Sequence, residues 1–229
     1  MKLIHKFGNM IRSRILFSIL WLIFIGSTTI LSFYQPKGDE LVWFAAIREP
    51  ILNQFFLYST MLGEEYGFIL MVVILAFFKS YRWAAAFAFT GISTMLISFV
   101  AKIAFHQPRP YLYFNSLDRA EELGSIQDYD FHSAFTSFPS GHTMAAFAFF
   151  TIFVFLFNHK LIELLLFFLA VLVAISRIYL GQHFLADVAA GAFLGSMIAF
   201  IVYFIMFKIN KMPGNIDRSI LGKVHSLKY

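Results

Sequence analysis

Six long apolar stretches constrain the fold of this chain more than any other feature. They cover approximately residues 15–33, 66–78, 83–105, 143–157, 161–179 and 185–207. A membrane-spanning helix needs about 20 residues, so the second and fourth stretches are expected to begin earlier, near Met61 and near Ser140. The chain is also far too apolar for a soluble domain, with 59% hydrophobic and 14% charged residues. The sequence therefore predicts one all-α, polytopic membrane domain, 1–229, with six transmembrane helices.

Lysine and arginine are distributed unevenly between the two sides of these predicted spans. With the N-terminus in the cytoplasm, twelve of the 18 lie on the inner side and six on the outer side. Lys211, Lys223 and Lys228 are among the inner twelve. Because cytoplasmic loops carry an excess of positive residues, both termini are predicted to be cytoplasmic. Topology also accounts for the net charge of +5, so no nucleic-acid partner is predicted.

The segment 36–65, which follows the first span on the outer side, is predicted to be helical. Asp39 and Pro50 are residue types that begin helices, and Gly63 is one that ends them. Polar residues interrupt its apolar sequence, which favours a helical segment lying in the membrane interface. A partly buried connector fits the same pattern equally well.

Charged side chains are costly within a membrane and indicate function when they occur there. In this chain they collect at the outer ends of three predicted spans, in a set of three cations, two histidines and one carboxylate. The set consists of Lys102, Arg109, His142, Arg177, His183 and Asp187. Three cations at one place suit a dianionic phosphate, whose oxygens an arginine can bind two at a time.

The residues around these charges favour phosphate chemistry. Ser140 and Gly141 are expected to begin a helix, where free backbone N–H groups form an anion site, and Gly141 leaves room for close approach. His183 and Asp187 are four residues apart on an expected helix, which places the carboxylate beside the imidazole. This arrangement fixes the tautomer and makes the other ring nitrogen a nucleophile or base. His142 is then free to act as the acid.

Three segments follow a known pattern in order and spacing. Residues 102–110 read KIAFHQPRP, residues 139–142 read PSGH, and residues 176–187 read SRIYLGQHFLAD. They resemble the three signatures of the type-2 phosphatidic acid phosphatase (PAP2) family, and the six-span layout is similar as well. The resemblance implies a membrane phosphatase that needs neither a metal nor another cofactor.

The same resemblance implies a role for each signature residue. His183 attacks phosphorus and becomes a phosphohistidine, with Asp187 orienting it. His142 protonates the leaving alkoxide and later activates water. The remaining residues bind the phosphoryl oxygens as charge builds in the transition state. They are Lys102, Arg109, Ser140, Gly141 and Arg177.

The resemblance further implies a lipid phosphate as substrate and a bacterial cytoplasmic (inner) membrane as location, with the site on the periplasmic or extracytoplasmic side. Undecaprenyl diphosphate is the first prediction, with phosphatidylglycerophosphate and phosphatidic acid beside it and a lipid A phosphate as the alternative. A non-catalytic lipid-phosphate transporter or binding protein is the rival of another class. Inverted repeats and helices broken at mid-membrane mark transporters, and the sequence shows no such repeat.

Other residues of the outer side have plainer interpretations. A metal site built from His142, His183 and Asp187 is disfavoured, because the neighbouring cations would repel a divalent ion. Ser176 fits a backbone-bonded serine at a helix end as well as a phosphate contact. The polar segment 106–138 is long enough to be functional, but the sequence assigns no role to its histidines, His106 and His132.

Overall fold

The computed structural model describes residues 2–127, 129–157, 159–209 and 214–221, and the regular structure in these residues is helical. An isolated bridge joins Ile126 and Tyr129. The α-helices are α1 (Lys2–Arg12), α2 (Ile15–Tyr34), α3 (Asp39–Ala46), α4 (Pro50–Thr60), α5 (Tyr66–Phe78), α6 (Tyr81–Phe105), α7 (Pro110–Asn115), α8 (Gly141–Leu156), α9 (Lys160–Tyr179) and α10 (Leu185–Phe204). Shorter turns of 3₁₀ or π type cover Met61–Gly63, Ala120–Leu123, Ile205–Ile209 and Gly214–Asp217.

Four of the described helices, α2, α6, α9 and α10, are long and apolar enough to cross a membrane. A fifth span is formed if Pro50–Gly63 and Tyr66–Phe78, which meet at a bend of 50°, count as one. α8 has 16 residues and is shorter than the roughly 20 residues that a span needs. The predicted all-helical membrane fold is confirmed, whereas the number of six spans and the orientation of the termini stay predictions. Lys211, Lys223 and Lys228, which contributed to that orientation, lie outside the described residues.

Most helix starts agree with the sequence analysis. Asp39 begins α3, Pro50 occupies the first position of α4, and α8 begins directly after Ser140. α5 begins at Tyr66 and not near Met61, because the 3₁₀ turn there ends at Gly63 and Glu64 has an extended backbone. α3 and α4 pack against α9, so the segment 36–65 is in part a buried connector.

α8 lies at the centre of the bundle, where most of its residues are buried and it packs against α6, α9 and α10. Two glycines of α10 allow the backbones of α8 and α10 to touch. A Cβ atom at Gly191 would stand 2.7 Å from the carbonyl oxygen of Ser140, and one at Gly195 would overlap the carbonyl oxygen of Met144. Ser140 N–H also donates to the carbonyl oxygen of Asp187 at 3.0 Å. This packing brings the N-termini of α8 and α10, with their signature residues, to one place.

The outward faces of the peripheral helices carry large apolar side chains. Leu22 on α2, Ile69 on α5 and Val100 on α6 are each at least 60% exposed. Soluble proteins rarely expose contiguous apolar surface of this extent. These faces therefore fit contact with lipid acyl chains.

Candidate active site

His183 lies in the short connection between α9 and α10, and only 1% of it is exposed. Its Nδ1 atom is 3.5 Å from Oδ2 of Asp187, in the first turn of α10. The spacing of four residues predicted that both lie on one helix, but α10 begins only at Leu185. The turn before the helix, and not helical spacing, brings the imidazole to the carboxylate.

Asp187 is held by donors from two other positions. Its Oδ2 atom accepts the backbone N–H of Phe184 at 2.9 Å and the hydroxyl of Ser137 at 2.5 Å. Ser137 is completely buried and lies outside the three signature segments. Because hydrogen bonds to a charged group are stronger than neutral ones, these two donors fix the carboxylate beside His183.

The surroundings of His183 keep its imidazole neutral. Burial lowers its pKa to about 3, and Arg177 and Arg109 act in the same direction, whereas Asp187 opposes them. A neutral imidazole has an unprotonated nitrogen at physiological pH. With Nδ1 facing Asp187, the nitrogen available to a reaction partner is Nε2.

His142 lies in the first turn of α8 and has a carboxylate partner that the sequence analysis did not predict. Its Nε2 atom is 2.9 Å from Oε1 of Glu64, and the two side chains are 30% and 41% exposed. Glu64 precedes α5, at the bend after Gly63. The only sequence signal for it is an acidic pair, Glu64 and Glu65, directly before an apolar stretch.

The three predicted cations lie at helix ends on the same side of the bundle. Lys102 is in the last turn of α6, Arg109 precedes α7, and Arg177 is in the last turn of α9. Within the described residues, none of the three forms a salt bridge with a carboxylate. Their positive charge is therefore available to an anion.

Neutral side chains hold the two guanidinium groups in place. Arg109 donates to Oε1 of Gln182 at 2.6 Å and to Oγ1 of Thr136 at 3.2 Å. Arg177 donates to Oγ1 of Thr60 at 2.8 Å. Neutral acceptors fix the geometry without cancelling the charge. Thr60 and Thr136 lie outside the three signature segments, and Gln182 is one of the five residues between Arg177 and His183 that the third signature leaves unspecified.

Ser140 and Gly141 differ in what they offer a phosphate. The N–H of Ser140 is taken by the carbonyl of Asp187, and its hydroxyl pairs with that of Thr143 at 2.9 Å. The prediction that this N–H points outward is therefore wrong, because the contact between α8 and α10 uses it. A Cβ at Gly141 would lie 3.2 Å from Nζ of Lys102, so the glycine lets this cation lie against the start of α8. Close approach of a phosphate to Gly141 stays a prediction.

The long outer segment also contributes to the site. Burial raises the pKa of Tyr129, while Arg177, Arg109 and Gln182 act against that rise, which places its hydroxyl among the site residues. The pKa of His132 is lowered by burial and by the same two guanidinium groups. The sequence assigned no role to either residue.

His106 and Ser176 have structural partners. The ring of His106 stacks on Phe135 with centroids 4.8 Å apart. The hydroxyl of Ser176 donates to the carbonyl of Val173 at 2.6 Å. Ser176 therefore fits the backbone-bonded interpretation.

An apolar groove of about 670 Å³ runs between α5 and α6 and ends at the polar residues. Glu64, Lys102 and His142 line this polar end. The apolar walls include Phe68, Val72, Ile92, Met95 and Phe99. The groove thus joins a lipid-like environment to the cationic site.

Comparison with known proteins agrees with this geometry. Phosphatidylglycerophosphatase B of Bacillus subtilis is 33% identical over 181 residues, which cover 72% of this chain and 82% of that protein. An undecaprenyl-diphosphatase of Sulfolobus acidocaldarius is 30% identical over 151 residues, covering 66% of this chain and 68% of that protein. The crystal structure of Aquifex aeolicus LpxE aligns with a TM-score of 0.60 and 25% identity, over 74% of this chain and 95% of that one.

A family model described as PAP2 superfamily matches residues 83–211. This range is more than half of the chain, and it contains all three signature segments. The chain therefore belongs to the PAP2 superfamily.

Proposed function

We propose that the protein is a metal-independent lipid phosphatase that acts through a phosphohistidine at His183. The observation that carries the proposal is a buried histidine near two guanidinium groups, Arg177 and Arg109, in a site whose third cation, Lys102, lines the polar end of an apolar groove together with His142. Among the described residues, no carboxylate forms a salt bridge with any of the three cations. The nucleophile needs a free electron pair, and the phosphoryl group needs positive charge around it. This site supplies both.

In the first half-reaction, Nε2 of His183 forms a bond to phosphorus while the bond between phosphorus and the lipid oxygen breaks. The electron pair of the broken bond stays on the leaving oxygen, which takes a proton from His142. Lys102, Arg109 and Arg177 stabilise the charge that accumulates on the phosphoryl oxygens. Asp187 stabilises the positive charge that develops on the His183 ring.

In the second half-reaction, water attacks the phosphohistidine and His142 takes a proton from that water. The phosphorus–nitrogen bond breaks, its electron pair returns to Nε2 of His183, and inorganic phosphate leaves. One histidine thus serves as acid in the first step and as base in the second, which microscopic reversibility favours.

The groove supports a lipid as substrate, because its apolar walls suit an acyl or prenyl chain while the phosphate reaches the cations. The relatives named above include a phosphatidylglycerophosphatase B and an undecaprenyl-diphosphatase. The proposed substrates are therefore undecaprenyl diphosphate, phosphatidylglycerophosphate and phosphatidic acid. A lipid A phosphate on the same scaffold is the alternative.

The test is phosphate release from this panel of lipids by the purified protein in detergent, with His183→Ala as control. Turnover by the wild-type protein that is absent from the variant is the expected result. Binding of the lipids without turnover would instead support the non-catalytic transporter or binding protein.

We further propose that six helices cross a bacterial cytoplasmic membrane and that the site faces its extracytoplasmic side. The distribution of lysine and arginine supports this orientation. The chain has no cysteine, so single cysteines at Glu121 and Lys79 report the two sides without interference. An impermeant reagent should label the first in intact spheroplasts, and labelling of only the second would reverse the orientation.

A further inference from the structure

Glu64 lies outside the PAP2 signatures, yet it contacts His142. Its Oε1 atom is 2.9 Å from Nε2 of the histidine, although 78 positions separate the two residues. The neighbouring Gly63 fixes this approach, because a Cβ there would stand 2.8 Å from the carbonyl oxygen of His142. The two backbones are thus packed together, and the contact follows from the fold.

The position of Glu64 corresponds to the leaving-group side of the site. Glu64 lines the groove together with His142 and Lys102. The phosphoryl group stays with His183, and the leaving group carries the lipid chain. The leaving oxygen must therefore depart toward the groove, and it passes Glu64.

We propose that Glu64 positions His142 and makes the enzyme prefer lipid phosphomonoesters to lipid diphosphates. This inference rests on the proposed function. Glu64 accepts a hydrogen bond from Nε2–H of His142, which leaves Nδ1 to hold the proton for the leaving oxygen. The pairing resembles that of His183 with Asp187, except that the opposite ring nitrogen faces the carboxylate.

For a phosphomonoester, the negative charge of Glu64 assists the reaction. The leaving alkoxide is a poor leaving group and needs a proton, and a nearby carboxylate stabilises the protonated imidazole that supplies it. As the bond between phosphorus and oxygen breaks, the proton passes from Nδ1 of His142 to that oxygen. The product beside Glu64 is a neutral alcohol, so no like charges meet.

For a diphosphate, the same charge hinders the reaction. The leaving group is a phosphate monoester, which leaves readily without a proton and carries negative charge into the groove. That charge repels Glu64 as it departs. Arg109 and Arg177 bind the transferred phosphoryl group in both cases, so they do not discriminate between the two classes. Lys102 lines the groove beside Glu64, but it is the same in the wild-type protein and in every Glu64 variant, so a change of preference in those variants reports on the carboxylate.

The test compares the monophosphate and the diphosphate of one prenyl alcohol, so that the chain in the groove is the same. Glu64→Gln keeps an acceptor oxygen and removes the charge, whereas Glu64→Ala removes both. For Glu64→Gln we expect kcat/KM for the monophosphate to fall at least about tenfold, mainly through kcat. The reason is that lowering the pKa of the acid by about one unit lowers the fraction of His142 that carries the proton about tenfold. The value for the diphosphate should stay unchanged or rise. Retained diphosphate turnover also shows that the variant is folded.

Glu121→Gln is the matched control, because it removes the same charge from an exposed position of the outer segment. It should leave the ratio of the two kcat/KM values unchanged. If Glu64→Gln and Glu64→Ala left the ratio of the two kcat/KM values at the wild-type value, for example by slowing both substrates by one common factor, the inference alone would be overturned. A wild-type protein that releases phosphate from neither substrate would overturn the proposed function, and this inference with it.

Discussion

The site contains two pairs of histidine and carboxylate, and they differ in burial, origin and partner nitrogen. His183 and Asp187 are four residues apart and almost completely buried, with Nδ1 facing the carboxylate. His142 and Glu64 come from distant parts of the chain, are about one-third exposed, and meet through Nε2. The first pair lies at the centre of the bundle, and the second lies at the end of the lipid groove.

The difference in burial suits different steps of one reaction. A buried imidazole stays neutral and can attack phosphorus, as the lowered pKa of His183 indicates. A partly exposed imidazole with its own carboxylate can take up and release a proton next to the leaving group and water. Solvent exposure and the identity of the ring nitrogen that faces the carboxylate therefore distinguish the proposed acid from the proposed nucleophile, although both residues are histidines.

Replacing the buried histidine should have the largest effect. His183→Ala removes the atom that would bond to phosphorus, and we expect turnover of every substrate to fall on the order of 10⁴-fold or more, as when a covalent nucleophile is lost. The measurement is transfer of labelled phosphate from lipid to protein. His5→Ala, an exposed position in α1, is the control. Labelled protein in the His183→Ala variant would show that the two histidines have been assigned the wrong roles.

Replacing the exposed histidine should have an effect that depends on the leaving group. A monophosphate expels an alkoxide that needs a proton, and general acid catalysis contributes about 10²–10⁴-fold. His142→Ala should slow phosphoenzyme formation from a monophosphate by a factor in this range, and from a diphosphate much less. The difference between substrates sets this residue apart from His183.

Steady-state rates can hide this difference, because His142 is also expected to activate the water that clears the intermediate. The measurement is therefore made before the steady state, by following labelled phosphate onto the protein within the first turnover. Equal slowing for the two leaving groups would contradict the assignment of His142 as the acid.

The sequence predicted the parts of the site that lie within its own motifs. The length of the apolar stretches predicted the helical membrane fold. The positions of Lys102, Arg109 and Arg177 at the ends of these stretches predicted three cations at helix ends. These features were accessible because each depends on neighbours within a few residues. His183 and Asp187 were paired correctly as well, although a turn and not a helix joins them.

The residues that the sequence missed are those that long-range packing brings to the site. Glu64 and Ser137 reach their partners because the Met61–Gly63 turn and α10 both pack against α8, and no local pattern distinguishes them from other acidic residues or serines. Ser140 shows the same limit in another way. Its N–H was predicted to be free, and the close contact between α8 and α10 uses it.

Replacing Ser137 should affect the buried pair of His183 and Asp187 less than replacing His183 itself. The hydroxyl of Ser137 donates to Asp187, and a hydrogen bond to a charged group contributes about 1.5–3 kcal/mol. Ser137→Ala should therefore slow phosphoenzyme formation by roughly 10- to 100-fold. Ser176→Ala is the matched control, because Ser176 is equally buried and its hydroxyl, among the described residues, bonds to the backbone carbonyl of Val173 and not to a charged group. We expect the control to keep nearly the wild-type rate. A larger loss in Ser176→Ala than in Ser137→Ala would indicate that Ser176 contacts the phosphate.

A chelator should have the smallest effect of all. Lys102, Arg109 and Arg177 fill the charge-stabilising role that a metal ion has in other phosphatases, and they would repel a divalent cation. In the part of the chain that the structure describes, no cluster of three histidine, cysteine, aspartate or glutamate side chains is arranged to hold a metal. We therefore expect the rate in excess EDTA to stay within about twofold of the untreated rate, since Lewis-acid catalysis has no part in the proposed steps. Activity that is lost with EDTA and restored by zinc or magnesium would make His142 and His183 metal ligands, and the contrast between a nucleophile and an acid would no longer hold.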